Sequence, residues 1–277
     1  MIEPNFSESQ LQQVINTEIT MFCFSSFFPN RCWWFNPIIR NLIEEGELGW
    51  DTAFYFPWLS ISPNKSGANF FIQYKLSKLI EGRRGNEWEN WNNSYLRFQI
   101  PYTVKDKTTN RYSDDYSQFN ALKKLANKGY TVIYATNHIL ERQKLFDLAI
   151  NKKLISQIPC LDISAFNQLH KKVTFTETSN HFCLHSELDK TKKTNLKEIT
   201  SNIREKKEIL TEDIRILKEF LIEIEKGLHI ESENSFEEKM KRFEKYDEMY
   251  PKTFLEAGLI SRYLKVYLDC YWYRLFF

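Results

Sequence analysis

The sequence contains few of the residues that mark disordered, fibrous or disulfide-rich chains. Its 277 residues include only eight glycines, eight prolines and five cysteines. Scarce glycine and proline, together with an aromatic share of 16%, exclude a low-complexity or disordered chain. The cysteines are scattered, odd in number and without a CxxC pair, which argues against a disulfide framework or a zinc ribbon. We therefore expect reduced thiols in a cytoplasmic protein.

A strong net charge and a long apolar run are also missing. Lys and Arg number 38 against 36 Asp and Glu, so the net charge of +2 creates no overall field that would attract nucleic acid or a membrane. No apolar run approaches the ~18 residues of a membrane span, and Glu3 and Glu8 stand where a signal peptide would carry positive charge. We expect no membrane partner. The GxxxxGKS and GxGxxG motifs are absent, so ATP or dinucleotide binding would require a partner protein.

Periodic apolar residues predict an α/β fold over the first part of the chain. Two helices precede three strands, which we expect to be neighbours in one sheet, and a helix and a buried strand follow. The predicted elements are helices 8–22 and 37–45, strands 52–56, 68–75 and 94–100, helix 116–129 and strand 130–136. This order predicts a mixed sheet in which helix 116–129 joins parallel partners. The polar loop 81–91 should be exposed.

The composition changes after about residue 186 and becomes rich in Lys, Glu, Ile and Leu. Apolar residues three or four apart predict one long amphipathic helix over 196–226, and two further helices over 235–249 and 254–277. The last helix is apolar enough to need a covering surface, either the core of the same chain or a partner subunit. We therefore predict two domains, residues 1–187 and a helical C-terminal region, 188–277.

The stretch GELGWDTAFYF, residues 46–56, places Asp51 at the head of an apolar strand, just after several glutamates. In the following strand Gln73 and Lys75 are two residues apart, so their side chains face the same side. The carboxylates could supply hard oxygen ligands to Mg²⁺, and Lys75 could supply a cation beside a scissile phosphate. The alternative is structural: Asp51 caps a strand, Lys75 lies at a sheet end, and the glutamates form a solvated helix terminus.

The string EEGELGWD, followed 21 residues later by QYK, resembles the restriction-endonuclease-like superfamily called PD-(D/E)xK, in the Glu…Asp…Gln-x-Lys variant of Mrr-like enzymes. Asp51, Gln73 and Lys75 match that motif residue by residue. The order of elements is similar too. The stretches FIQYKLS, YLRFQI, FNALKKLANKGYTVIYAT and HFCLHSE also resemble a bacterial family, some of whose members are encoded near mobile elements and phage-defence genes. This likeness covers roughly residues 30–187.

The resemblance implies a role for each residue of the motif. The acid on the preceding helix would bind metal, and Glu45 fits its spacing, with Glu47 and Glu44 as competing candidates. Gln73 stands where many members have a third acid, and its amide would contribute an oxygen without a charge. Lys75 would orient or activate the attacking water and stabilise charge that develops on the phosphate.

The resemblance therefore implies a Mg²⁺- or Mn²⁺-dependent endonuclease that cuts DNA, with RNA left open as substrate, and a part in antiphage defence. The implied fold is a restriction-endonuclease-like mixed sheet flanked by helices, with a helical C-terminal appendage. The residues that we expect to contact nucleic acid are Arg83, Arg84, Arg97 and Gln118. The rival hypothesis is a catalytically silent nucleic-acid-binding or scaffold subunit that works with a partner ATPase. The C-terminal region would then bind that partner or a second copy of the chain.

The stretch HFCLHSE offers a weaker metal hypothesis. His181, Cys183 and His185 alternate on one face of a predicted strand, which could suggest zinc. Three ligands on successive steps of one strand crowd a single edge and lack a fourth ligand. A structural role is therefore the better interpretation of this stretch.

Overall fold

The computed structural model describes residues 1–27, 66–82, 87–105, 110–228, 235–243 and 252–276. Several predicted features lie outside these residues, so they stay predictions. They are the helix 37–45, the strand 52–56, the acids Glu44, Glu45, Glu47 and Asp51, and the arginines Arg83 and Arg84. Gln73, Lys75, Arg97 and Gln118 are all described.

The described chain is a mixed α/β protein that divides into two compact units. The first unit comprises residues 1–22, 70–203 and 268–270, and the second comprises 23–69, 204–267 and 271–277. The helices are α1 (Glu8–Phe27), α2 (Ser117–Asn127), α3 (Arg142–Ile150), α4 (Leu154–Gln157), α5 (Leu196–Asn202), α6 (Leu210–Leu228), α7 (Phe236–Phe243) and α8 (Lys252–Leu268). These units do not follow the predicted boundary at residue 187.

The strands are distributed over both units. They are β1 (Ser66–Lys75), β2 (Lys78–Ile80), β3 (Tyr95–Gln99), β4 (Tyr102–Lys105), β5 (Tyr112–Asp115), β6 (Thr131–Thr136), β7 (Pro159–Asp162), β8 (Lys172–Phe175), β9 (His181–His185), β10 (Asp189–Lys192), β11 (Thr194–Asn195), β12 (Glu208–Ile209) and β13 (Cys270–Phe276). The predicted helices 8–22 and 116–129 and the predicted strands 68–75, 94–100 and 130–136 are therefore confirmed, with small changes at their ends.

The central strand of the first unit is β1, which runs parallel to β6 with Phe70 opposite Thr131 and Lys75 opposite Thr136. β6 pairs antiparallel with β7, and β7 with β11, so the predicted mixed sheet is confirmed. Residues 68–74 of β1 are all buried, as expected for a strand covered on both faces. This burial fixes the strand, whose buried polar side chains are Asn69 near its start and Gln73 and Lys75 near its C-terminal end.

The other large sheet of the first unit is antiparallel, in the order β10, β9, β8, β3, β2. β3 pairs with β2 and β8, so the prediction that strand 94–100 neighbours strand 68–75 is wrong. The physical reason is visible in the burial of the two strands. β1 is buried on both faces, whereas β3 carries the part-exposed Arg97 and the exposed Gln99, which suit a sheet with one polar face.

A small hairpin, β4–β5, follows this antiparallel sheet in the chain, and most of its residues are exposed. Among the described residues of loop 81–91, the predicted exposure is wrong at Glu87, whose side chain is only 4% exposed. Glu87 meets cationic and hydroxyl partners that the sequence pattern does not reveal, and these compensate its burial.

The second unit contains α6, α7 and most of α8, together with β12 and most of β13. The predicted single helix over 196–226 is wrong: α5 ends at Asn202, a 3₁₀ turn follows, and Glu208 and Ile209 form β12, which pairs with Gly67 and Ser66. The predicted helix 254–277 is also wrong at its end, because Cys270–Phe276 is the strand β13, which pairs with β1. The predicted helical C-terminal region therefore includes strands.

Candidate functional site

The candidate site lies at the C-terminal end of β1 in the first unit. Gln73 and Lys75 are two residues apart on this strand, so their side chains face the same side of the sheet. Both are buried, although both are polar. Because a buried polar side chain costs free energy unless it is paired, its presence next to an apolar core calls for a specific partner or a function.

Lys75 is the most unusual group of this site. Its side chain is 6% exposed, and its ammonium nitrogen lies 4.2 Å from the ring centroid of Tyr102 and 5.8 Å from that of Tyr134. Burial lowers the pKa of Lys75 to about 8, and the negative charges of Glu8 and Asp269 offset part of that effect. Near pH 8 the amine is therefore present in comparable amounts as the charged and the neutral form.

Gln73 is oriented by one hydrogen bond and leaves its other polar atom unsatisfied. Its Nε2 donates to the backbone oxygen of Leu268 at 2.9 Å, whereas its Oε1 is buried and has no hydrogen-bond partner. A buried carbonyl oxygen without a hydrogen bond destabilises the folded state by on the order of 1–3 kcal/mol. Since oxygen atoms are the ligands that Mg²⁺ prefers, the free Oε1 fits a metal ligand.

A cavity of about 360 Å³ opens beside Lys75. Three of its lining side chains are cationic, namely Lys75, Lys78 and Arg97, and one is acidic, Glu8. The Arg97 guanidinium forms an ion pair with the carboxylate of Glu87 at 3.5 Å, the limit of a hydrogen bond, and Lys78 lies 2.7 Å from Glu3 at the surface. The excess of cations makes the cavity suited to an anionic group such as a phosphate.

Gln118, at the N-terminal end of α2, reaches the same site through Tyr102. Its side chain offsets part of the rise in the Tyr102 pKa that burial causes, and its Oε1 is buried without a hydrogen-bond partner. Burial, together with the charges of Asp269 and Glu8, raises the pKa of Tyr102 to about 12, so the phenol stays protonated at neutral pH. The hydroxyl of the neighbouring Tyr134 is also buried and unpartnered.

Of the four described residues that were predicted from the sequence, the structure brings Lys75 and Arg97 to one cavity, whereas Gln73 and Gln118 do not line it. Lys75 and Arg97 share a cavity although their strands belong to different sheets. The site residues Asp51, Glu45, Glu47, Arg83 and Arg84 lie outside the described residues.

Three residues of the site were not predicted. Tyr102 follows Pro101, which ends the predicted strand 94–100. An aromatic residue just outside a strand is the signal that could have identified it. Glu8 is the first residue of α1, a place where an acidic residue is common for helix stability alone. Asp269 lay inside a predicted helix. In the structure it separates α8 from β13 with a left-handed φ of 47°, a conformation that Asp tolerates better than most residues.

The zinc hypothesis for the stretch HFCLHSE finds no support in its surroundings. Thr174 Oγ1 lies 2.7 Å from His185 Nε2, the ring of His181 stacks on Trp91 at 5.1 Å, and Cys183 is fully buried. More generally, the described residues contain no group of three or more His, Cys, Asp or Glu side chains that could hold a metal ion.

Comparisons with known proteins add no further assignment. No protein-family model matches the chain, and no curated protein or solved structure matches it either. In the described part of the chain, no helix has both the length and the apolar character that crossing a membrane requires.

Proposed function

We propose that this protein is a metal-dependent endonuclease that hydrolyses DNA phosphodiester bonds, on a restriction-endonuclease-like fold. The observation that carries the proposal is Lys75. It is a buried lysine whose pKa is lowered to about 8, it lies two residues after a glutamine with an unsatisfied oxygen, and it lines a cationic cavity. Strongly perturbed lysines beside a cavity are typical of catalytic sites.

The described residues have distinct roles in this proposal. The neutral amine of Lys75 orients the attacking water and accepts a proton from it. The charged form of the amine stabilises the negative charge that develops on the phosphate. Arg97 and Lys78 bind phosphate oxygens in the cavity. Tyr102 and Tyr134 exclude water from the amine, which keeps its pKa low.

The metal ion would be held by Gln73 Oε1 together with carboxylates from Asp51 and Glu45, or Glu47 in place of Glu45. A bound Mg²⁺ or Mn²⁺ polarises the phosphate and lowers the pKa of its water. Gln73 Nε2 has a fixed partner in Leu268, so the oxygen is presented without a rearrangement of the side chain. The assignment of Asp51 and the glutamates as metal ligands rests on the sequence motif alone.

The cellular role rests on the sequence resemblance to bacterial proteins encoded near phage-defence genes. We propose an effector in antiphage defence, acting in the cytoplasm on DNA and assisted by a partner protein or by self-association. The rival is a silent nucleic-acid-binding or scaffold subunit that works with an ATPase.

Plasmid cleavage with and without Mg²⁺ tests the proposal. The wild-type protein should cut supercoiled DNA with Mg²⁺ or Mn²⁺ and not in EDTA. Lys75→Met keeps the length and packing of the side chain but removes the amine, so cleavage should fall by about 10²–10⁴-fold. Lys75→Ala and Asp51→Asn should fail as well. Lys190→Met, which changes an exposed lysine on β10, is the matched control and should cut normally.

The outcomes separate the proposal from its rival. Cleavage by Lys75→Met at the wild-type rate would overturn the proposed role of this site. If the wild-type protein binds DNA but never cuts it with either metal, the silent binding subunit becomes the better description.

A further inference from the structure

The hairpin β4–β5 presents an aromatic ring to the mouth of the candidate site. Tyr102, the first residue of β4, lines the cavity, and its ring covers the Lys75 ammonium at 4.2 Å. Although Lys75 occupies part of its surface, Tyr102 remains 44% exposed. An aromatic ring that contacts a lysine and is also open to solvent can stack on a planar group such as a base.

The anchoring of Tyr102 goes beyond the contact with Lys75. The pairing of β4 with β5 fixes the backbone of Tyr102, and the ion pair between Asp114 and Lys171, at 2.6 Å, anchors the other strand of the hairpin. The ring is therefore held in place before any ligand binds. A preorganised ring loses little conformational entropy when it stacks on a base.

The cations of the cavity lie next to this ring. Lys75, Lys78 and Arg97 line a space of about 360 Å³ together with Tyr102 and Thr103. A cationic pocket for the backbone beside an aromatic platform for a base is the usual arrangement of single-strand binding sites. Within a duplex the base faces are already stacked on each other, so Tyr102 can stack only on an unpaired base.

We propose that the site takes single-stranded DNA, with a base stacked on Tyr102 and the adjacent phosphate held by Arg97 and Lys78. This inference rests on the proposed function in one respect, namely that the site acts on nucleic acid. It adds the substrate class, an unpaired strand or a frayed end, which the motif of Gln73 and Lys75 does not specify.

Tyr112 offers a matched control on the same hairpin. It pairs with Lys105 in the hairpin register, whereas Tyr102 pairs with Asp115. Because side chains alternate along a strand, Tyr112 faces the side of the hairpin opposite to Tyr102. Tyr112 is 69% exposed, so its removal changes the exposed aromatic surface but leaves the site intact.

Binding of a fluorescein-labelled single-stranded oligodeoxynucleotide, followed by anisotropy in EDTA, tests the inference without any cleavage. Tyr102→Ala should weaken binding by about 5- to 150-fold, the loss expected for one stacked base. Tyr102→Phe should retain most of the affinity, and Tyr112→Ala should bind like the wild type. Arg97→Ala should weaken binding and lower the slope of log K against log salt by about 0.7.

Competition with unlabelled strands gives the deciding comparison. The single strand should compete better than a duplex of the same sequence. Equal losses for Tyr102→Ala and Tyr112→Ala, or a duplex that competes as well as the single strand, would overturn the inference. Tighter binding of the RNA strand would overturn its assignment to DNA.

The test also separates the inference from the proposed function. If Tyr102-dependent binding is found but neither Mg²⁺ nor Mn²⁺ brings about cleavage of the plasmid or of the single strand, the inference stands and the nuclease proposal fails. If plasmid cleavage depends on Lys75 while Tyr102→Ala binds the single strand as tightly as the wild type does, the nuclease proposal stands and the inference fails.

Discussion

At the scale of single residues, Glu87 shows how one buried carboxylate can link a loop to two paired strands, β3 and β8. It accepts a hydrogen bond from Lys172 at 2.8 Å and one from the Tyr95 hydroxyl at 3.1 Å, and it lies 3.5 Å from Arg97. Burial by itself raises the pKa of Glu87, but the hydrogen bonds and the charge of Lys172 outweigh it and lower the pKa to about 2. Because Glu87 lies beside Arg97, its negative charge also weakens the attraction between Arg97 and a phosphate in the cavity.

Replacement of Glu87 should therefore destabilise the protein in a pH-dependent manner. Because the folded pKa lies below the ordinary value, the carboxylate stabilises the fold above pH 4.5, and this contribution disappears as the pH falls from 4.5 to about 2. Glu87→Gln should lose about 1–3 kcal/mol in urea unfolding at pH 7, with the difference from wild type narrowing below pH 4.5. Glu89→Gln, two residues away and exposed, is the control. A difference independent of pH would contradict this account.

At the scale of elements, a buried polar network joins β1, β12, β13 and α6 in the second unit. Asn69 donates through its backbone and side-chain nitrogens to Glu208 at 2.6 Å, and its Oδ1 accepts from Trp272 at 2.9 Å. Arg274 donates to Asp213, to Asn69 and to the backbone oxygen of Glu208. This network gives Glu208 a strand conformation where the apolar periodicity predicts a helix.

Removal of Arg274 should cost far more than removal of an exposed arginine. The side chains of Arg274 and Asp213 are 0% and 5% exposed, so Arg274→Met removes a buried cation that faces the Asp213 carboxylate and should lower the free energy of unfolding by about 3–5 kcal/mol. Arg215→Met, which breaks exposed pairs with Glu212 and Glu219 on α6, should change the urea midpoint little.

The double variant Arg274→Met, Asp213→Leu decides between two explanations. If the buried negative charge of Asp213, no longer balanced by Arg274, causes the loss, the double variant should be more stable than Arg274→Met alone. A double variant that is equally or less stable would indicate that the packing of Arg274 matters more than its charge.

At the scale of the whole molecule, the local signals in the sequence are sufficient to predict individual helices and strands. They are insufficient to predict which strands pair with each other. β1, β6 and α2 were predicted because their periodicity and their Gly and Pro boundaries are local. The break after Asn202 was hidden because Ile203 and Leu210 are seven residues apart, close to two helical turns, so the apolar stripe stays in phase across it.

The site follows the same division. Gln73 and Lys75 could be predicted because both lie on one strand at period two. Glu8, Tyr102 and Asp269 come from distant parts of the chain, and only the folded sheet brings their charges and ring to Lys75. No spacing rule of a single element could have found them.

Four described histidines share one property that concerns the stability of the entire first unit. Burial lowers the pKa of His138, His170, His181 and His185, and neighbouring charges modify each shift. His170 is fully buried, and neither of its ring nitrogens has a hydrogen-bond partner. The folded protein therefore keeps these rings neutral at a pH at which the unfolded chain already binds protons.

Acid should therefore weaken the fold from about pH 6.5 downward. Below that value the unfolded chain binds more protons at these histidines than the folded one, so the free energy of unfolding falls as the pH falls, by up to ~1.4 kcal/mol per pH unit for each histidine. Urea unfolding between pH 7.5 and 5 should show this slope. His170→Leu should reduce the slope of the unfolding free energy against pH by roughly the contribution of one histidine. His181→Gln, which replaces a part-exposed ring, should reduce the slope less. A slope unchanged in His170→Leu would mean that the buried ring accepts its proton as readily as the unfolded chain does.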